Sequence, residues 1–197
     1  HLKTLDKALA EHRGHPAFES VAQMATPVRE CLEQLDDLTS FPLRICHGDL
    51  KISNLLFENQ QATGLIDLDT LAPMPLAHEM GDALRSWCNL KDEESADASF
   101  SLSYFEAAMR GYHDATQGLF DTNELLSIAC GLETISLELT VRFLADALNE
   151  SYFGWDQKRY GRASEHNLER ARGQWAFACS VGKQREEAKA VLRRLVA

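Results

Sequence analysis

The sequence predicts an α+β protein that is mainly α, with its short strands confined to a hairpin region around residues 43–70. Three observations carry that prediction. Apolar residues recur every three or four positions over most of the chain, as in Leu125, Ile128, Leu132, Ile135, Leu139 and Phe143, which is the period of a buried helix face. Short apolar runs bounded by polar turns are limited to Leu43–Cys46, Leu55–Phe57 and Gly64–Leu68. At 197 residues, with 45% hydrophobic and 25% charged side chains, the chain has the balance of one globular domain with a sizeable core, spanning 1–197.

The elements follow in order. Leu2, Leu5 and Leu9 share a helix face before Arg13-Gly14-His15-Pro16 interrupts. Thr26-Pro27 predicts a helix start, a capping threonine followed by proline in the first turn, continued by Val28, Leu32, Leu35 and Leu38. The polar stretch Glu58–Thr63 separates the second and third strands and reads as the turn of a hairpin, and Pro73 and Pro75 close the strand region. Helices are then expected over Glu79–Leu90 and Phe100–Tyr112, with the acidic run Asp92-Glu93-Glu94 as a solvated loop between them. Asp121 and Glu124 form a capping-box pattern for a long helix through Leu148. A last helix starts near Ser164 and runs towards the C-terminus.

Composition excludes several classes. Thirty acidic against 20 basic residues give a formal charge of −10, which argues against a nucleic-acid partner, since displacing counterions from phosphates needs a basic footprint. A few local cations or a metal can still reverse the field in one cleft. The five cysteines are odd in number and contain no C-x-x-C pair, so free thiols in a reducing cytoplasm are expected rather than disulfides or zinc. No apolar run reaches the length of a membrane span.

The chemistry is concentrated in His47-Gly48-Asp49-Leu50-Lys51-Ile52-Ser53-Asn54, with Asp67 thirteen residues further on. Asp49 and Asn54 fall on a loop between two strands, and Asp67 closes the next strand of the hairpin. Folding the hairpin can bring a carboxylate, an amide and a second carboxylate to one end of the sheet. Magnesium takes oxygen ligands and keeps waters and substrate phosphates among them; a carboxylate with a neighbouring amide suits it. A second carboxylate, off the metal, can orient a hydroxyl and take its proton. This is the layout of the kinase phosphoryl-transfer template, in which D-x-x-x-x-N precedes a metal-binding Asp.

The segment resembles the aminoglycoside phosphotransferase and choline kinase superfamily, where H-G-D replaces the H-R-D of protein kinases. The resemblance implies the C-terminal lobe of a protein-kinase-like fold that uses ATP and Mg2+. It implies Asp49 as catalytic base, Lys51 beside the transferring phosphate, and Asn54 and Asp67 as ligands of the magnesium that carries the nucleotide. Ile66-Asp67-Leu68-Asp69-Thr70 and Met80-Gly81-Asp82-Ala83-Leu84-Arg85 look like the I-D-L-D-T and F-G-D-A-[IL]-R segments of N-acetylhexosamine 1-kinases, with Met80 in place of phenylalanine. Arg142–Asp146 and Glu165–Arg172 are similar to late segments of the same sugar kinases. The implied reaction is transfer of the γ-phosphate to a hydroxyl of a sugar or aminosugar.

Other residues keep two readings. His47 reads as a packed structural histidine, Gly48 as a turn where a side chain would clash, and Asp82 as a cap for the loop's amides. Asp69 either contacts substrate or a second metal, or bonds its own turn. Arg85 and Arg142 either point into a substrate cleft or pair with carboxylates. Aminoglycoside, choline, homoserine and methylthioribose kinases share the loop and are rival assignments; a non-catalytic pseudokinase or binding module is the rival of another class. The 46 residues before His47 hold one glycine and two lysines in a helical pattern, whereas the template needs a glycine-rich loop and a strand lysine. The nucleotide-binding N-terminal lobe is therefore expected to be absent, and this chain alone is expected to bind ATP poorly and turn over negligibly.

Overall fold

Helices carry most of the chain in the computed structural model, which describes every residue except Glu93, Gln117 and Ala197. Helix α1 spans Leu2–Glu11 and α2 Phe18–Glu33. Four short strands follow, β1 Leu43–Cys46, β2 Leu55–Glu58, β3 Gln61–Leu65 and β4 Ala72–Pro75. Helices α3 Leu76–Trp87, α4 Leu102–Ala115, α5 Thr122–Asn149, α6 Ala163–Lys183 and α7 Arg185–Leu195 complete the chain. The α+β, mainly α class is the one the periodicities predict. Among the described residues no helix is long and apolar enough to cross a membrane.

The chain gathers into two compact units. The first consists of His1–Leu35, Lys91–Ser99 and Ser136–Cys179. Its core is built from Leu5 and Ala8 of α1, Val21, Ala25 and Val28 of α2, and the C-terminal half of α5 with Leu168 and Ala171 of α6. Here one expectation is corrected: α2 does not start at Thr26 but runs unbroken from Phe18, with Pro27 inside it. An interior proline costs about 3 kcal/mol. Val21 and Val28, both fully buried, each return about 1.5–3 kcal/mol, so packing holds the helix through the break.

In the same unit Asp146 is 4% exposed. Its carboxylate accepts the backbone N–H groups of Ser151, Tyr152 and Phe153 at 2.9–3.0 Å and the Asn167 amide at 3.0 Å. It thereby folds the chain back just after α5. The acidic run corrects a second expectation. Glu93 lies outside the described residues, but Glu94 is not a solvated charge, since it hydrogen-bonds His166 and bonds Arg159 at 2.7 Å. Burial would raise the Glu94 carboxyl; these bonds outweigh it and hold the group below its ordinary range.

The second unit comprises Asp36–Leu90, Phe100–Ile135 and Ser180–Ala197. Its strands form two antiparallel ribbons, β1 with β4 and β2 with β3, so the β2–β3 hairpin is nested inside the β1–β4 pair. The hairpin turn is tighter than the sequence suggests, only Asn59 and Gln60, both at positive φ (47° and 68°), as a two-residue turn matching strand twist requires. Strand β4 is unexpected, because Pro73 and Pro75 read as strand breakers. A two-stranded ribbon is all edge, and prolines spaced by two, opposite Ile45 and Leu43, can both fall at pairs that exchange no hydrogen bonds.

The α5 start forms the expected capping box: the Glu124 amide donates to Asp121 Oδ1 at 2.9 Å, and the Asp121 amide donates to Glu124 Oε2 at 3.2 Å. The same Glu124 side chain, 2% exposed, takes a two-pronged ion pair from Arg44 at 2.9 and 2.7 Å. That pair ties β1 to the start of α5 and lowers the Glu124 carboxyl. Helix α3 lies against β1, β4 and α4, and meets α5 at a glycine contact. A Cβ on Gly131 would lie 2.0 Å from the Ala77 carbonyl oxygen, and one on Gly81 would lie 2.5 Å from that of Gly131. The final helical stretch is broken at Gln184, where Arg185 pairs with Glu133 at 2.7 Å through both nitrogens.

Candidate active site

The nested ribbons decide where the polar loop goes. Cys46 pairs with Ala72 as the last pair of β1–β4, so residues 47–54 and 66–71 leave the ribbon at the same end. Three bonds lock them together. Thr70 Oγ1 donates to the His47 carbonyl at 2.7 Å, the Ile66 amide donates to the Asn54 carbonyl at 3.1 Å, and His47 Nε2 meets the Ile66 carbonyl at 2.9 Å. A carbonyl only accepts, so Nε2 carries the proton and Nδ1 is left to accept the Asp49 amide at 3.4 Å. His47, 5% exposed, is therefore a neutral brace between the two segments. Gly48 has φ +80°, and a Cβ there would sit 2.6 Å from the Thr70 carbonyl oxygen; the turn needs glycine on both counts.

Within this frame Asp49 and Asn54 are brought together. Asn54, 5% exposed, donates its amide nitrogen to the Asp49 carbonyl at 2.8 Å and to Asp49 Oδ2 at 3.1 Å. Both bonds use Nδ2, so the amide oxygen is the atom left for another partner. Lys51 Nζ bonds Asp49 Oδ2 at 2.5 Å. The Lys51 ammonium is raised above its ordinary range, first by that bond, against a counteracting effect of burial, and further by the fields of Asp49, Asp67 and Asp82.

Asp67 follows the braced Ile66 and has φ 67° and ψ 56°, a left-handed conformation that costs a non-glycine residue about 1–3 kcal/mol and gathers at functional sites. It stands just before the 3-10 turn Leu68–Thr70, not at the end of a strand, because β3 stops at Leu65. Neither Asp67 nor Asp69, both exposed, has a hydrogen-bonded side chain among the described residues. Arg85 donates to Asp82 at 3.0 Å along α3. Arg142 belongs to the first unit, where its guanidinium lies over the rings of Tyr152 and Phe153 at 5.5 and 5.3 Å.

The sequence reading missed one residue. The loop's amides are capped by Glu79, not by Asp82: His47 N and Gly48 N donate to its two carboxylate oxygens at 2.9 and 2.8 Å. Glu79 is 8% exposed. Three and seven residues on, Asp82 and Ser86 share its helix face, and Ser86 Oγ takes the Ile52 amide at 3.0 Å. A glutamate in an amphipathic helix looks like a solvent residue, so only its place opposite two amides gives it away. Glu79→Ala is expected to cost about 2–3 kcal/mol by leaving two amides unpaired, read as a lowered urea midpoint with faster exchange of the His47 and Gly48 amides. A variant as stable as the parent would remove Glu79 from this role.

The oxygen donors at hand are the Asn54 amide oxygen and the Asp67 carboxylate. No group of three or more His, Cys, Asp or Glu side chains that could hold a metal occurs among the described residues. An amide oxygen and a carboxylate are donors of the type that a hard cation with water and phosphate ligands accepts.

Known proteins resemble this chain. The chain is similar to a homoserine kinase of Gluconobacter oxydans (strain 621H), with 27% identity over 144 residues, covering 71% of this chain and 42% of that protein. It is also similar to a homoserine kinase of Zymomonas mobilis subsp. mobilis (strain ATCC 31821 / ZM4 / CP4), 27% identical over 110 residues, or 54% of this chain and 33% of that one. The chain thus spans less than half the length of these curated relatives. Residues 1–115 match the family model described as phosphotransferase enzyme family, and with the H-G-D loop braced as described, the chain belongs to that family, the aminoglycoside phosphotransferase group of protein-kinase-like enzymes.

Proposed function

We propose that this chain is the catalytic lobe of an ATP- and magnesium-dependent kinase that phosphorylates a hydroxyl of a sugar or aminosugar. The observation that carries the phosphotransfer reading is the Asp49–Lys51–Asn54 cluster beside a left-handed Asp67. Asp49 orients the acceptor hydroxyl and takes its proton. Lys51 offsets the negative charge of the phosphoryl group in transit, exchanging its bond to Asp49 for one to phosphate oxygen. Asn54 and Asp67 hold magnesium, which when bound neutralises and aligns the phosphates. Glu79 and His47 keep the loop in shape and touch no reactant.

The sugar reading rests on the likeness of the Ile66–Thr70, Met80–Arg85 and Arg142–Asp146 segments to those of N-acetylhexosamine 1-kinases. On this reading Asp69 and Arg85, in the same unit as Asp49, line the approach of the acceptor. An amino-alcohol acceptor is the second reading, favoured by the names of the two relatives.

The full-length protein, assayed with ATP against N-acetylglucosamine, N-acetylgalactosamine, homoserine, choline and an aminoglycoside, separates them. An N-acetylhexosamine is expected to show a kcat/KM about 100-fold above the others. Homoserine in that place would transfer the assignment to the second reading. Binding without phosphate transfer to any alcohol would make the chain a non-catalytic module.

A further inference from the structure

The second unit contains a cavity, of about 450 Å³, that shares no lining residue with the 47–54 loop. Its walls come from the segment after α2, from the N-terminal turns of α5 and from α7. The floor is apolar: Leu38, 4% exposed, with Phe41 and Leu126. The rim carries both signs of charge, Asp36 on one segment and Lys189 and Arg193, one helical turn apart, on α7.

These charges do not satisfy one another. Among the described residues neither the Asp36 carboxylate nor the Arg193 guanidinium makes an ion pair or hydrogen bond. Among the described residues Lys189 meets only Glu186, at 3.3 Å, and the Glu186 side chain is 70% exposed, so that pair is weak. The neighbouring Arg194 turns instead to Glu106 at 3.5 Å. Asp36 and Arg193 are both exposed, so each is open to a ligand. The Asp36 carbonyl accepts from Cys130 Sγ at 3.9 Å, which tethers its segment to α5. The volume lies within the roughly 300–1,000 Å³ of small-molecule sites, which pair an apolar lining with a few placed polar groups.

We propose that this cavity binds a zwitterionic amino acid with an apolar side chain: carboxylate to Arg193 and Lys189, ammonium to Asp36, side chain on Leu38, Phe41 and Leu126. A ligand of one charge would leave the opposite rim group unmatched, and a ligand without an apolar body would leave the floor wet. The site is separate from phosphotransfer and stands whether or not that reading holds.

The test is titration of this chain, without nucleotide, with L-leucine and L-phenylalanine, followed by calorimetry and amide chemical shifts. 4-Methylpentanoate lacks leucine's ammonium, isoamylamine its carboxylate, and glycine its apolar body. Saturable binding of leucine or phenylalanine is expected, shifting the amides of Leu38, Leu126 and Arg193, with each analogue at least about tenfold weaker. Arg193→Met should weaken leucine and 4-methylpentanoate about tenfold and spare isoamylamine. Asp36→Asn should weaken leucine and isoamylamine and spare 4-methylpentanoate. Both positions are on the rim, and circular dichroism checks that the variants fold. The proposal is overturned if neither amino acid saturates, if the analogues bind as tightly, if the variants bind unchanged, or if the shifts map elsewhere.

Discussion

Replacing Asp49 with asparagine in the full-length protein is expected to lower kcat by about 10²–10⁴, the usual contribution of a positioned general base, while leaving nucleotide affinity and thermal stability near those of the parent. The substitution keeps the size of the side chain and one oxygen, so the Asn54 amide can still find an acceptor. It removes the negative charge and the ability to take a proton. Lys51 then loses the bond that contributes most to its raised ammonium and becomes freer to meet phosphate, so nucleotide binding should hold or tighten slightly. Steady-state kinetics with the preferred acceptor, together with ATP affinity by calorimetry, reads both quantities. A kcat within tenfold of the parent would exclude Asp49 as the base. A parallel loss of ATP affinity would instead point to a metal- or phosphate-binding role.

Gly131→Ala is expected to give the largest loss of stability among single-methyl changes in the second unit, at least about 3 kcal/mol. Its added carbon would lie 2.0 Å from the Ala77 carbonyl oxygen, 2.6 Å from the carbonyl carbon and 2.9 Å from Ala77 Cβ. The obstacles are mainly backbone, so no rotamer change relieves them, and α3 would have to move off α5. The helix-propensity gain of alanine over glycine, about 1 kcal/mol, does not offset this. Because α3 carries Glu79, movement there should also loosen the caps on His47 and Gly48. Gly111→Ala in α4 is the control: nothing lies within 4 Å of its Cβ, so it should be neutral or gain up to about 1 kcal/mol. Equal denaturation midpoints for the two variants would refute the close α3–α5 contact.

The two corrected helix and loop expectations have one cause. Thr26-Pro27 is a sound start signal, yet the apolar residues on both sides of it fall on one face, and burying that face outweighs the broken bond. Glu94 reads as solvated because its partners, His166 and Arg159, lie more than sixty residues away. Strand β4 escaped notice because two prolines in four residues argue against a strand unless the strand is an edge. Asp82 and Glu79 illustrate the same limit at the site: both are acids on the same helix face, and only the position of the loop decides which one meets the amides.

By itself the sequence determined the class of the fold, most of its helices and the β2–β3 hairpin, and the family to which the H-G-D loop points. Helical and strand periods are local, and H-G-D-x-x-x-x-N with a following I-D is a pattern of neighbours in the chain. Tertiary structure alone decided what holds that loop. The nesting of one ribbon in another, the buried carboxylate of Glu79, the neutral His47 brace and the glycine contact of α3 with α5 depend on distances between segments remote in sequence. No local preference of the backbone encodes those distances.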